Sequence, residues 1–143
     1  VAFKEVLQPE FADYAKQIVA NAKVLAAALA DEGYRIISGG TDTHLMLVAV
    51  SVKGLTGKAV EAYLDEIHIT VNKNAIPFDK NKPAVASGIR LGTPAITSRG
   101  MGLNESREIA AIIVEALGDV EARAKVAQFR GRVLELTSRF DVP

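Results

Sequence analysis

The segment Ser87-Gly88-Ile89-Arg90-Leu91-Gly92-Thr93-Pro94 carries the most specific chemistry in the sequence. Read as a strand, its side chains alternate between two faces. Ser87, Ile89 and Leu91 then share one face, and Gly88, Arg90 and Gly92 share the other. Arg90 has no side chain two residues before or after it. Glycine inside a strand weakens it and marks a close approach by another group. The pattern predicts cleared space around a guanidinium fork. Such a fork binds a planar carboxylate through two parallel hydrogen bonds, which a lysine cannot copy. The competing reading is an edge-strand arginine held in a surface ion pair.

Asn72-Lys73-Asn74 is the second constellation. Alternation puts Asn72 and Asn74 on one face, and an amide offers donors and an acceptor that suit the edge of a heterocycle. An Asn that ends a strand and shapes a turn is the simpler alternative. Gly54-Leu55-Thr56-Gly57-Lys58 has the look of the end of a phosphate loop but fails its template. Val52 stands at the first glycine, and Ala59 where Ser or Thr would hold magnesium. Thr56 reads instead as a helix N-cap. Asp42 and His44 project to one side of an extended segment, but two ligands do not make a metal site, and no metal is expected. His68 has no partner in view. Asn104-Glu105-Ser106 fits a glycosylation sequon, yet Asn104 reads better as an N-cap. Lys80 and Lys82 give a mildly basic, solvated loop. No Ser/His/Asp set, telling carboxylate pair or dinucleotide fingerprint is present. The residues describe one carboxylate anchor without catalytic machinery.

The elements that must position these groups fit one domain of 143 residues, 49% of them hydrophobic. Seventeen basic and seventeen acidic side chains cancel, which argues against nucleic acid and against a polybasic membrane surface. The sequence has no Trp and no Cys, which excludes thiolate zinc sites, disulfides and cysteine nucleophiles. No apolar run reaches the ~18 residues of a membrane span. No signal peptide is visible, and the cytoplasm is the simplest compartment. Val1 to Leu7 already reads as helix without a Met. The sequence is therefore read as a piece of a longer one rather than a chain trimmed of a tag, with residues 1–8 as the end of a preceding helix or linker.

Pro9 opens a long amphipathic helix to about Asp31, with Tyr14, Ile18, Leu25 and Leu29 on its stripe and Gly33 closing it. Strands are predicted at Tyr34–Ile37, His44–Val52, Ile69–Asn74 and Ser87–Leu91. Thr56 starts a helix through Ile67, and Pro77 to Pro83 is a polar loop. Thr93-Pro94 reads as a turn. A helix from Asn104 to Leu117 ends at Gly118-Asp119, and a last helix carries Val126, Phe129, Val133, Leu136 and Phe140. Two pairs of adjacent strands among helices predict an α+β two-layer sandwich, a small and mainly antiparallel sheet with helices on one side.

These motifs, in this order, resemble the C-terminal part of the serine hydroxymethyltransferase family over essentially the whole chain. The resemblance is carried by Ser38-Gly39-Gly40-Thr41-Asp42 with His44-Leu45, by Gly54-Leu55-Thr56-Gly57-Lys58 and by Asn72-Lys73-Asn74. It continues through Ser87 to Ala95 and Arg99-Gly100. It implies the small domain of a fold-type I pyridoxal-phosphate enzyme that interconverts serine and glycine using tetrahydrofolate. It implies that Arg90 grips the substrate carboxylate and that Asn74 approaches the pterin. It also implies that Lys82-Pro83-Ala84 lines the folate site. The family commonly reads Ser-Pro-Phe there, so only Pro83 matches, and Thr43 departs from the usual Asn. The Schiff-base lysine motif is absent, and Lys73 is not that lysine. The expectation is a large cofactor-binding domain elsewhere, a homo-oligomeric enzyme, and a piece inactive alone. The alternatives are a stand-alone amino-acid-binding or dimerisation module, or the small domain of another fold-type I pyridoxal-phosphate enzyme.

Overall fold

The computed structural model describes residues 2–143, so Val1 and its reading as helix lie outside the described residues. The elements are α1 (Ala2–Val6), α2 (Pro9–Asp31), β1 (Arg35–Ile36), β2 (Leu45–Ala49), α3 (Gly57–Glu66) and β3 (Asn72–Asn74). They continue with β4 (Gly88–Gly92), α4 (Pro94–Ser98), α5 (Leu103–Leu117) and α6 (Val126–Ser138). The four strands form one antiparallel sheet in the order β1-β2-β4-β3. The α+β expectation holds, with β4 inserted between β2 and β3, so the strand carrying Arg90 is paired along both edges.

One face of the sheet is core and the other is open. Ile36, Met46, Val48, Ile89 and Leu91 are buried on the inner face. α2 places Ala22, Leu25, Ala26 and Leu29 in the same core cluster, as the apolar spacing requires. Each large aliphatic side chain so buried contributes about 2 kcal/mol. α5 and α6 complete the layer through Ile112, Ile113, Phe129, Val133 and Leu136. On the outer face Arg35, Asn72, Arg90 and Gly92 are exposed, and Leu45 and Leu47 are half-buried. No helix among the described residues is long and apolar enough to cross a membrane.

Several boundaries differ from the sequence expectation, each for a local reason. β2 stops at Ala49, and Val50–Lys53 form a 3-10 turn, because Val50 and Ser51 both donate their N–H to the Ser87 carbonyl at 3.0 and 3.2 Å. Ile69 to Val71 stay outside β3. The Ile69 N–H turns back to the Leu64 carbonyl at 2.8 Å, behind a left-handed His68 with φ 68°. The Thr93-Pro94 turn is the start of α4, with Pro94 in its first turn. Thr93 is buried and donates its hydroxyl to the Ile18 carbonyl at 2.8 Å. Asn21 on α2 is fully buried and ties α2 to α4: its amide donates to Thr97 Oγ1 and to the Met101 carbonyl at 2.9 Å each. Asn104 is not the N-cap of α5. Gly102 is, and Glu105 reaches back to accept the Gly102 N–H at 2.8 Å, while Asn104 sits inside the helix.

Candidate functional site

β4 fixes Arg90 on the open face. Its register sets Arg90 opposite Asn72 on β3 and opposite Leu47 on β2. The guanidinium is exposed and its Nη2 donates to Asn72 Oδ1 at 3.3 Å. The pairs of opposite charge among the described residues leave Arg90 out, so its charge faces a neutral acceptor. It borders a cavity of about 350 Å³ shared with His44, Thr70, Asn72 and Gly92.

The two flanking glycines do different things. A Cβ at Gly88 would lie 2.6 Å from Ile76 Cγ2 and 3.0 Å from the carbonyl oxygens of Asn74 and Val48. The close approach there comes from the chain itself, and the space beside Arg90 on that side is filled. A Cβ at Gly92 would meet nothing nearer than the His44 carbonyl at 3.5 Å. The cleared notch expected from the sequence therefore opens on the Gly92 side only.

Asn74 shares the open face with Asn72, two residues and about 7 Å along the strand. It pairs with Gly88 across the ladder, and its amide donates to the Ala75 carbonyl at 2.8 Å. Residues 75–87 form the hairpin connection from β3 to β4. Lys82, Pro83 and Ala84 are exposed within it. The Lys82 carbonyl already accepts the N–H groups of Val85 and Ala86 at 2.9 Å each. Both acceptor lone pairs of that carbonyl are thus engaged. The structure brings Arg90, Asn72 and Asn74 onto one face and hangs Lys82–Ala84 on the loop that joins their strands.

The hairpin is held from inside by Asp79, which the sequence reading missed. Asp79 Oδ1 accepts the Asn81 N–H at 2.9 Å and the Ser87 hydroxyl at 2.5 Å. Its Oδ2 accepts the N–H of Ile76 at 3.1 Å and of Ser87 at 2.9 Å. The Ser87 hydroxyl, followed by these backbone donors, holds the carboxyl down at about 2 against an ordinary 3.8. A signal was present: an Asp two residues before another turn residue, and two after a proline, is the pattern of a side chain bonding the backbone ahead of it.

The remaining candidates resolve into structural roles. Thr56 caps α3, accepting the Ala59 N–H at 3.2 Å. The Gly57 and Lys58 N–H groups donate to the Ala86 and Val85 carbonyls at 2.9 Å each, so this helix start has no free cradle for a phosphate. Lys73 points to the inner face, where its Nζ and its N–H both meet the Glu61 carboxylate at 2.9 Å. That contact, the Lys73 ammonium first, lowers the pKa of Glu61. Asp42 pairs with Lys23 at 3.2 Å, and no group of three metal-ligating side chains gathers among the described residues.

The family model described as serine hydroxymethyltransferase matches residues 1–113. The chain is 56% identical over 140 residues to a serine hydroxymethyltransferase of Acidobacterium capsulatum, covering 98% of this chain and 33% of that protein. It is 55% identical over 142 residues to one of Bordetella avium, covering 99% of this chain and 34% of that protein. The chain thus spans about a third of the length of the curated relatives it matches.

Proposed function

The chain belongs to the serine hydroxymethyltransferase family, and we propose that within the whole enzyme it supplies the arginine that grips the amino-acid carboxylate and part of the folate site. On this reading the enzyme interconverts serine and glycine and passes a one-carbon unit to tetrahydrofolate. It works as a cytoplasmic homo-oligomer. The observation that carries the reading is Arg90, an exposed guanidinium beside an open cavity whose hydrogen-bond partner is the neutral Asn72. A carboxylate entering that cavity meets a fork with charge to spare. Two parallel hydrogen bonds fix its plane as well as its position. That orientation decides which bond at the α-carbon is presented for reaction.

The family's cofactor is pyridoxal phosphate, which supplies the electron sink for that bond. The residues described here do not fit its anchoring. The α3 N-terminus is already capped by the chain's own carbonyls, and Lys73 is held by Glu61. We assign the cofactor to a large domain outside this chain, and the chain alone is inactive. Asn74 faces the pterin. Lys82, Pro83 and Ala84 line the folate entrance, with Lys82 contributing through its side chain or N–H, since its carbonyl is engaged.

Steady-state kinetics of Arg90→Lys in the full-length enzyme test this. Losing a bidentate, charge-assisted contact lowers kcat/KM for serine by about a hundredfold. Near-normal efficiency contradicts the assignment.

A further inference from the structure

The long hairpin between β3 and β4 closes around one carboxylate. Asp79 gathers donors from both ends of the loop: Ile76 at its start, Asn81 in its middle and Ser87 at its close. The Ser87 hydroxyl, while donating to Asp79, also accepts from the Asn81 side-chain amide at 2.9 Å. Loops of this length have little reason to hold one shape. This one is fixed by a hub with four donors on two oxygens, and Lys82, Pro83 and Ala84 are exposed within the loop it holds. β4 itself does not depend on that hub, because its pairing with β2 and β3 sets its register on both edges.

We propose that Asp79 is a positioning residue for folate: it holds the 75–87 hairpin in the shape that presents Lys82, Pro83 and Ala84 to the pterin-bearing substrate, while leaving Arg90 to the sheet. This rests on the folate reading of the hairpin given above. An amide at position 79 keeps the shape of the side chain. It replaces one acceptor oxygen with an NH2 group that meets either the Ile76 and Ser87 N–H donors or the Asn81 N–H head on. Such a replacement opens the hub from within. A hub that acts only on the loop separates two affinities that a general loosening of the fold moves together.

The test is calorimetric titration of the full-length enzyme with tetrahydrofolate and, separately, with glycine, for wild type, Asp79→Asn, Ser87→Ala and Asn74→Ala. Asp79→Asn weakens tetrahydrofolate about tenfold and leaves glycine within about threefold. Ser87→Ala, which removes one hydroxyl from the hub, moves folate in the same direction by less. If Asp79→Asn does not yield folded enzyme, Ser87→Ala decides by the same separation. Unchanged folate affinity, or folate and glycine falling together, overturns the role of Asp79. Asn74→Ala keeps the two ideas apart. If it weakens folate while the hub variants do not, only the Asp79 proposal fails. If neither it nor the hub variants touch folate, the folate reading fails and the proposal falls with it.

Discussion

Arg90 and Asn72 face each other across the β3–β4 ladder, and the arginine Nη2 donates to the Asn72 amide oxygen at 3.3 Å. The partner matters for what it lacks. An amide steadies the guanidinium without neutralising it, so the charge stays available to a carboxylate arriving from the cavity.

Replacing Asn72 with Asp places a permanent rival carboxylate beside Arg90. Glycine affinity of the full-length enzyme then falls about tenfold, because the ligand must displace a charge-assisted pair, whereas Asn72→Ala costs less than about threefold. Calorimetry reads both. Equal losses in the two variants point to packing instead of charge.

The glycines make a paired prediction about stability. A Cβ at Gly57 collides with the Gly88 carbonyl, a backbone atom that cannot swing away, so Gly57→Ala destabilises by about 2 kcal/mol. Gly131 lies exposed within α6 with nothing within 4 Å of its would-be Cβ. Gly131→Ala stabilises by about 1 kcal/mol through helix propensity and chain entropy. Urea midpoints of the two variants should shift in opposite directions.

Asp79 also makes the fold sensitive to acid. Its carboxyl sits at about 2 in the folded chain against an ordinary 3.8. A depressed carboxyl contributes stability that is fully present above the ordinary value and is lost as pH falls through the folded one. Acid unfolding between pH 3.8 and about 2 is therefore shallower in Asp79→Asn than in wild type. Other lowered carboxyls, Asp119 beside the Tyr63 hydroxyl among them, contribute to both proteins alike. Identical acid profiles refute the contribution of Asp79.

The isolated chain supports a further expectation. Mixed with pyridoxal phosphate and glycine, it gives no absorbance change that a single lysine substitution removes, because the family's Schiff-base lysine motif is absent from this sequence and Lys73 is committed to Glu61. A band abolished by one such substitution contradicts the assignment of the cofactor to another domain.

Much of this was legible because periodicity and glycine placement are local. The α2 stripe, the Thr56 cap and the alternation around Arg90 follow from neighbours in sequence, and the structure has them as read. What escaped depends on distant partners. Nothing in its neighbours marks Asn21, and only the approach of Thr97 and Met101 makes it a buried tie. Asn104 lost its cap to Gly102 because the helix starts earlier, at Leu103, with Glu105 accepting the Gly102 N–H from within the first turn. Gly88 and Gly92 are equivalent in the pattern, but Ile76 returns over one, 2.6 Å from a would-be Cβ, whereas the other has no neighbour closer than the His44 carbonyl at 3.5 Å. Asp79 sat in a loop read as polar, and its significance appears only when Ile76 and Ser87 close on it from either end.

Carboxylate recognition by Arg90 is most directly tested by comparing serine with ethanolamine, which lacks the carboxylate but keeps the amine and the hydroxymethyl carbon. In wild-type full-length enzyme serine binds far more tightly than ethanolamine. In Arg90→Ala the preference shrinks by about a hundredfold, almost all of it through weaker serine binding. A preference for serine that survives intact in Arg90→Ala contradicts the account.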